Sequence, residues 1–161
     1  MLNIIVESFK KFIKRAPLPA VYEAVRRIDN VDDEMMPISP NSKNWGWINP
    51  TGKAIQSKGK YRNHDHMIGE LLKTTRSSAF KEGWARFAVD AKMTAIVEFN
   101  AKFRETVADA LNQLENVHAI YLESVKPKNG LVGAFGFTSS TIWKADSVAE
   151  AIRFLKYSDQ F

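Results

Sequence analysis

His64, Asp65, His66 and Glu70 are the residues of this chain whose types best suit acid–base or metal chemistry. Imidazole and carboxylate together can move a proton or hold a transition metal. Spacing decides whether they meet. Two residues apart, both histidines share one side of a strand, but on a helix they diverge by about 200° at 3.6 residues per turn. His66 and Glu70 are four apart and share a helical face. Zinc asks for three or four ligands. No third ligand lies nearby in sequence, and His118 would have to come from elsewhere in space. The structural alternative is that His66 hydrogen-bonds near a helix start and His64 is exposed. No metal or cofactor is expected, and a small His-dependent hydrolase is the second alternative function.

Other catalytic patterns are missing from the sequence. Ser77, Ser78, Ser139 and Ser140 sit in no Gly-x-Ser-x-Gly elbow. There is no phosphate-binding Gly-x-x-x-x-Gly-Lys-Ser/Thr loop. Gly130, Gly133 and Gly136 are spaced by three, and Gly133-Ala134-Phe135-Gly136 lacks the dinucleotide fingerprint. These glycines read as a strand with small residues where another backbone packs closely. With no cysteine in the chain, disulfides, thiolate nucleophiles and Cys-zinc sites are excluded together.

Charge offers a different chemistry. From Lys43 to Arg62 the chain carries Lys43, Lys53, Lys58, Lys60 and Arg62 and no acidic residue, just after Asp29, Asp32, Asp33 and Glu34. Such a stretch faces an acidic surface or phosphate, or is simply a solvated loop. Single strands of nucleic acid are held by aromatic platforms beside cations. Trp45, Trp47, Tyr61, Trp84 and Phe87 interleave here with Lys53, Lys58, Lys60, Arg62 and Arg86. The competing reading places Trp47 and Trp84 in the core, because tryptophan buries a large area and both are flanked by glycine. Arg86 shares the face of Trp84 and can stack on an aromatic ring.

The elements that would position these groups follow from periodicity. Trp45 to Ile48 and Lys53 to Ile55 read as a hairpin around the Asn49-Pro50-Thr51-Gly52 turn. Asn63 is placed to cap a helix from about His64 to Thr74, with Met67, Ile68, Leu71 and Leu72 as its apolar face. Trp84 to Val89 alternates, with Trp84, Arg86 and Ala88 on one side and Ala85, Phe87 and Val89 on the other. Met93 to Phe99 alternates again, and residues 101–115 form a helix stopping at Asn116. Val117 to Ser124 reads as a strand, Lys126 to Gly130 as a turn, and Leu131 to Phe137 as a strand. Asp146 or Ser147 caps the last helix, where Ser147-Val148-Ala149-Glu150 has capping-box spacing. The sum is an α+β domain over 45–161, a mostly antiparallel sheet packed by helices.

Upstream, residues 1–16 read as an N-terminal amphipathic helical arm. Ile5, Phe9, Phe12, Ile13 and Ala16 recur at helical spacing, Lys10, Lys11, Lys14 and Arg15 load its end, and Pro17 and Pro19 stop it. Residues 17–44 read as a short helix and a linker loop. The arm offers Phe9, Lys10, Phe12, Ile13 and Lys14 as a contact surface for a protein partner, or else covers the chain's own core.

The chain has 161 residues, 45% hydrophobic and 25% charged, which suits one domain with a substantial core. No apolar run reaches the roughly 18 residues of a transmembrane helix. The N-terminal charges follow the apolar residues, so no secretory signal is expected.

The order Trp47-Ile48-x-Pro50-x-Gly52-Lys53, then a helix opening near His64 and His66, then Gly83-Trp84-x-Arg86, resembles a pattern in small uncharacterised proteins of tailed bacteriophages. It spans roughly residues 45–125. Ile5-Val6-Glu7 also resembles the Leu/Ile-x-Glu site cut by the prohead proteases of large tailed phages. The resemblance implies a phage-encoded protein located in the virion or the host cytoplasm. The expected function is a non-enzymatic interaction protein, such as a virion structural component docking on partner subunits or on copies of itself. The alternative is a single-stranded nucleic-acid binder using the basic loop and the aromatics.

Overall fold

Six strands and four helices account for the chain from Trp45 onward, in a computed structural model that describes residues 14–15, 44–90, 92–114, 116–129 and 135–161. The strands are β2 (Trp45–Ile48), β3 (Ala54–Gln56), β4 (Ala85–Val89), β5 (Thr94–Asn100), β6 (Ala119–Asn129) and β7 (Phe135–Ala145). A two-residue strand, β1 (Lys14–Arg15), pairs antiparallel with Lys144 and Trp143 of β7. The order across the sheet is β1-β7-β6-β5-β4-β2-β3. Neighbours are antiparallel except β5 and β6, which run parallel because a helix intervenes between them. The α+β class and the mostly antiparallel sheet are therefore as expected.

The strict alternation of β4 and β5 sorts side chains onto two faces. One face carries Ala85, Phe87, Val89, Ala95, Val97 and Phe99 under α3 (Arg104–Ala110) and α4 (Val148–Tyr157). The other carries Trp45, Trp47, Ala88 and Ile96 under α1 (His64–Leu72) and α2 (Arg76–Lys81). A sheet covered on both sides explains why β4 is buried along its whole length.

The helix starts are set by their caps. The Asn63 side chain accepts from the His66 amide at 2.7 Å, and the Ser147 hydroxyl accepts from the Glu150 amide at 3.1 Å. Glu150 returns a bond to the amide of Asp146 at 3.2 Å, one residue before the cap. The helix expected over 101–115 is instead a 3-10 turn (Ala101–Phe103), α3 and a second 3-10 turn (Leu111–Gln113) capped by extended Leu114, so Asn116, at φ 60°, lies beyond its end. α1 ends at Leu72, two residues earlier than expected, with Lys73 left-handed at φ 54°. Its apolar face is also shorter. Met67 and Ile68 are buried, whereas Leu71 and Leu72 are exposed.

β6 and β7 differ most from expectation. The stretch read as a turn, Lys126 to Asn129, continues β6 and pairs with β7 out to Asn129↔Phe135, after a bulge between Ser124 and Val125. Pro127 is tolerated because the last rung to β5 is Asn100↔Val125, so Pro127 lies where β6 has lost its neighbour on that side. The expected arm, short helix and linker lie outside the described residues, except that Lys14 and Arg15 are extended and that Asn44 precedes β2.

Candidate functional site

The tryptophan pattern closes on a single histidine. His64 opens α1 and is fully buried. Its Nε2 lies 3.1 Å from the carbonyl of Phe87 on β4, and its own carbonyl accepts from Trp47 Nε1 at 3.0 Å. The Trp45 ring meets its imidazole edge-on at 4.9 Å. Trp47 packs on Phe80 of α2 with centroids 5.5 Å apart. One residue thus ties α1 to β2 and β4. Trp45, Trp47, Phe80 and Phe87 are the other members of this unit, whereas Pro50 and Lys53 are exposed outside it.

Gly46 fits the same unit. A Cβ there would stand 1.9 Å from the Ile55 carbonyl oxygen, so only glycine lets β2 and β3 pair. Gly83 has φ +104° and faces the Phe103 ring, with a Cβ position 3.0 Å away. Trp47 and Trp84 are core residues, at 0% and 9% exposure.

His66 hydrogen-bonds near the helix start as expected, but His64 does not take the exposed position assigned to it. His64 is buried, not exposed. His66 is half-buried, and its Nδ1 accepts from the Arg62 amide at 3.1 Å. Its ring sits 5.6 Å from that of Tyr61. Asp65 points to Arg76, 3.3 Å away. Glu70 is ion-paired with Lys73 at 3.8 Å rather than gathered toward His66. Among the described residues, no three His, Asp or Glu side chains are grouped to hold a metal ion.

The cations divide into two sets. Arg86 is 6% exposed, and its Nη2 contacts both carboxylate oxygens of Glu98 at 2.7 and 2.9 Å. Sequence reasoning put it with the loop cations. Its partner, twelve residues on, puts it inside the sheet face under α1 and α2. The register sets Trp47, Arg86, Glu98 and Glu123 in one row across β2, β4, β5 and β6. Lys53, Lys58, Lys60 and Arg62 are all exposed and make no ion pair with any described residue. In sequence they flank β3, the last strand of the sheet. Lys53 precedes it, and Lys58 and Lys60 follow in a turn closed by the Lys60 amide on the Ser57 carbonyl at 3.0 Å.

Of the aromatics needed for base stacking, Tyr61 lies between Lys60 and Arg62, but the others are withdrawn into the core. Trp45, Trp47 and Phe87 are buried at 1%, 0% and 1% exposure, and Tyr61 is half-buried against His66. Of the arm's five contact residues, only Lys14 is described, as a backbone partner of Lys144. Phe9, Lys10, Phe12 and Ile13 lie outside the described residues.

One further side chain, overlooked in the sequence, sets the β2–β3 hairpin. Gln113, just after α3, accepts from the Ala54 amide at 2.8 Å and donates to the Gly52 carbonyl at 2.7 Å. The Asn49 side chain organises the turn itself, accepting from the amides of Thr51 and Lys53 at 3.0 and 2.9 Å. Among the described residues no helix is long and apolar enough to cross a membrane. No protein-family model, curated protein or solved structure matches the chain.

Proposed function

We propose that this chain is a phage-encoded, non-enzymatic interaction protein that uses the cationic rim of β3 to dock on an acidic protein surface. A place in the virion, with the N-terminal arm (Phe9, Lys10, Phe12, Ile13 and Lys14) seated on a partner subunit, belongs to the same reading. The observation that carries it is the set Lys53, Lys58, Lys60 and Arg62: exposed, flanking one edge strand in the sequence and ion-paired to no described residue. Cations without counter-charges among the described residues are available to an external one. The single-strand binding alternative loses support because its stacking residues, Tyr61 apart, are core residues. The hydrolase alternative loses support because His64 is committed to Phe87 and Trp47.

The test is size-exclusion chromatography with light scattering and absorbance at 260 and 280 nm on untagged protein, followed by titration with polyglutamate and with oligothymidylate. The expected result is protein free of nucleic acid that binds polyglutamate, weakens with salt, and loses binding in Lys58→Ala/Lys60→Ala/Arg62→Ala. Co-purifying nucleic acid with tight, salt-sensitive oligothymidylate binding would replace this reading by the alternative. Deleting residues 1–16 is expected to change assembly state or partner capture. No change in either would remove the docking role of the arm.

A further inference from the structure

We propose that the outer edge of β3 accepts an extended acidic segment of a partner protein as an added strand. This rests on the acidic-partner reading above and specifies how that partner is held. β3 ends the sheet order, so no described strand pairs with its outer side. Its inner side is fixed by three rungs to β2, Gly46↔Gln56, Trp47↔Ile55 and Ile48↔Ala54. The Asn49 amide donates to the Lys53 carbonyl and the Ser57 amide to the Trp45 carbonyl, both at 2.8 Å. In an antiparallel pair the hydrogen-bonding direction alternates residue by residue. Lys53, Ile55 and Ser57 therefore face β2, and Ala54 and Gln56 present their backbone groups outward.

Gln113 already occupies the Ala54 amide. The edge then offers the Ala54 carbonyl and both backbone groups of Gln56, an exposed residue. An open edge invites any extended chain, and lysine is the usual protection against pairing with another copy. Here Lys53 directly precedes the three residues of β3, and Lys58, Lys60 and Arg62 follow them beyond Ser57. Two such edges repel each other. An acidic strand meets cations at both ends and backbone groups between them. The same charges thus exclude self-pairing and select the partner's chemistry, with main-chain bonds giving affinity as in strand-addition complexes.

The probe is a soluble peptide of about nine residues alternating glutamate with threonine and valine, titrated at low salt into the full chain and followed by amide hydrogen exchange. A second peptide of identical sequence is N-methylated at alternate amides, which keeps its charge and removes its donors. Saturation with the first peptide is expected to slow exchange of the Gln56 amide about tenfold or more. N-methylation, or Gln56→Pro in the protein, is expected to weaken binding about tenfold, the scale of one lost main-chain bond. If both peptides bind equally and only Lys58→Ala/Lys60→Ala weakens them, strand addition is wrong while acidic docking stands. If neither peptide binds, both readings fall. The N-methylated peptide leaves the protein unchanged, so the test holds even where Gln56→Pro fails to fold.

Discussion

Arg86 and Glu98 face each other across β4 and β5, with one guanidinium nitrogen 2.7 and 2.9 Å from the two carboxylate oxygens and both side chains 7% exposed. Burying two charges is costly, and their attraction offsets that cost only while both are present. Arg86→Met leaves the Glu98 carboxylate without this partner inside the sheet face. The expected loss is about 3–5 kcal/mol in urea denaturation. Arg86→Met/Glu98→Leu is expected to recover much of it, because two apolar residues demand no counter-charge. A surface-like loss below about 1 kcal/mol for Arg86→Met would show that the pair is solvated in solution.

The two histidines should separate sharply by stability. His64→Ala removes a fully buried ring, its bond to the Phe87 carbonyl and its contact with Trp45. The expected cost is about 2–5 kcal/mol, in the range of other large-to-small core changes. His66→Ala removes a half-buried ring that accepts one amide, and about 1 kcal/mol is expected. Paired melting curves decide this. Equal losses would contradict the placement of the two residues.

Which histidine goes inside was not legible from His64-Asp65-His66. The choice is made by Trp47 and Phe87, 17 and 23 residues away. The two faces of β4 were legible, because a period of two with aromatic and small apolar residues admits one assignment. So were the Asn63 and Ser147 caps, which act within three residues. Arg86 was put on the correct face beside Trp84, but its burial depends on a register with Glu98 that no local pattern encodes. Lys126 to Asn129 has turn composition, yet pairing with β7 overrides it, and Pro127 marks where β5 ends rather than where β6 turns. The cationic loop was legible as a composition. That it flanks an edge strand came only from the sheet order.

Gly46 tests the hairpin from its tightest point. Any side chain there meets the Ile55 carbonyl, with a Cβ only 1.9 Å from its oxygen. Backbone cannot yield as a flexible side chain can. Gly46→Ala should therefore cost at least the upper end of the roughly 1–3 kcal/mol seen for overpacking. The measurement is thermal melting with amide exchange across β3. Exchange should rise at Ile55 and Ser57, the amides directed at β2. A neutral Gly46→Ala would mean that β2 and β3 sit farther apart than this register requires.

Gln113→Ala probes the same hairpin from outside. It removes one bond to the Ala54 amide and one to the Gly52 carbonyl, at 2.8 and 2.7 Å. Both bonds lie partly in solvent, so about 1–2 kcal/mol is expected for the two together. The more telling readout is local. With Gln113 gone, the Ala54 amide should exchange faster, and the β3 edge gains a second outward donor. An acidic strand added to that edge then has one more bond to make. Gln113→Ala is accordingly expected to lower stability and yet hold the acidic peptide as well as the parent chain or better. If peptide binding falls in step with stability, the hairpin must be braced by Gln113 before its edge can be used.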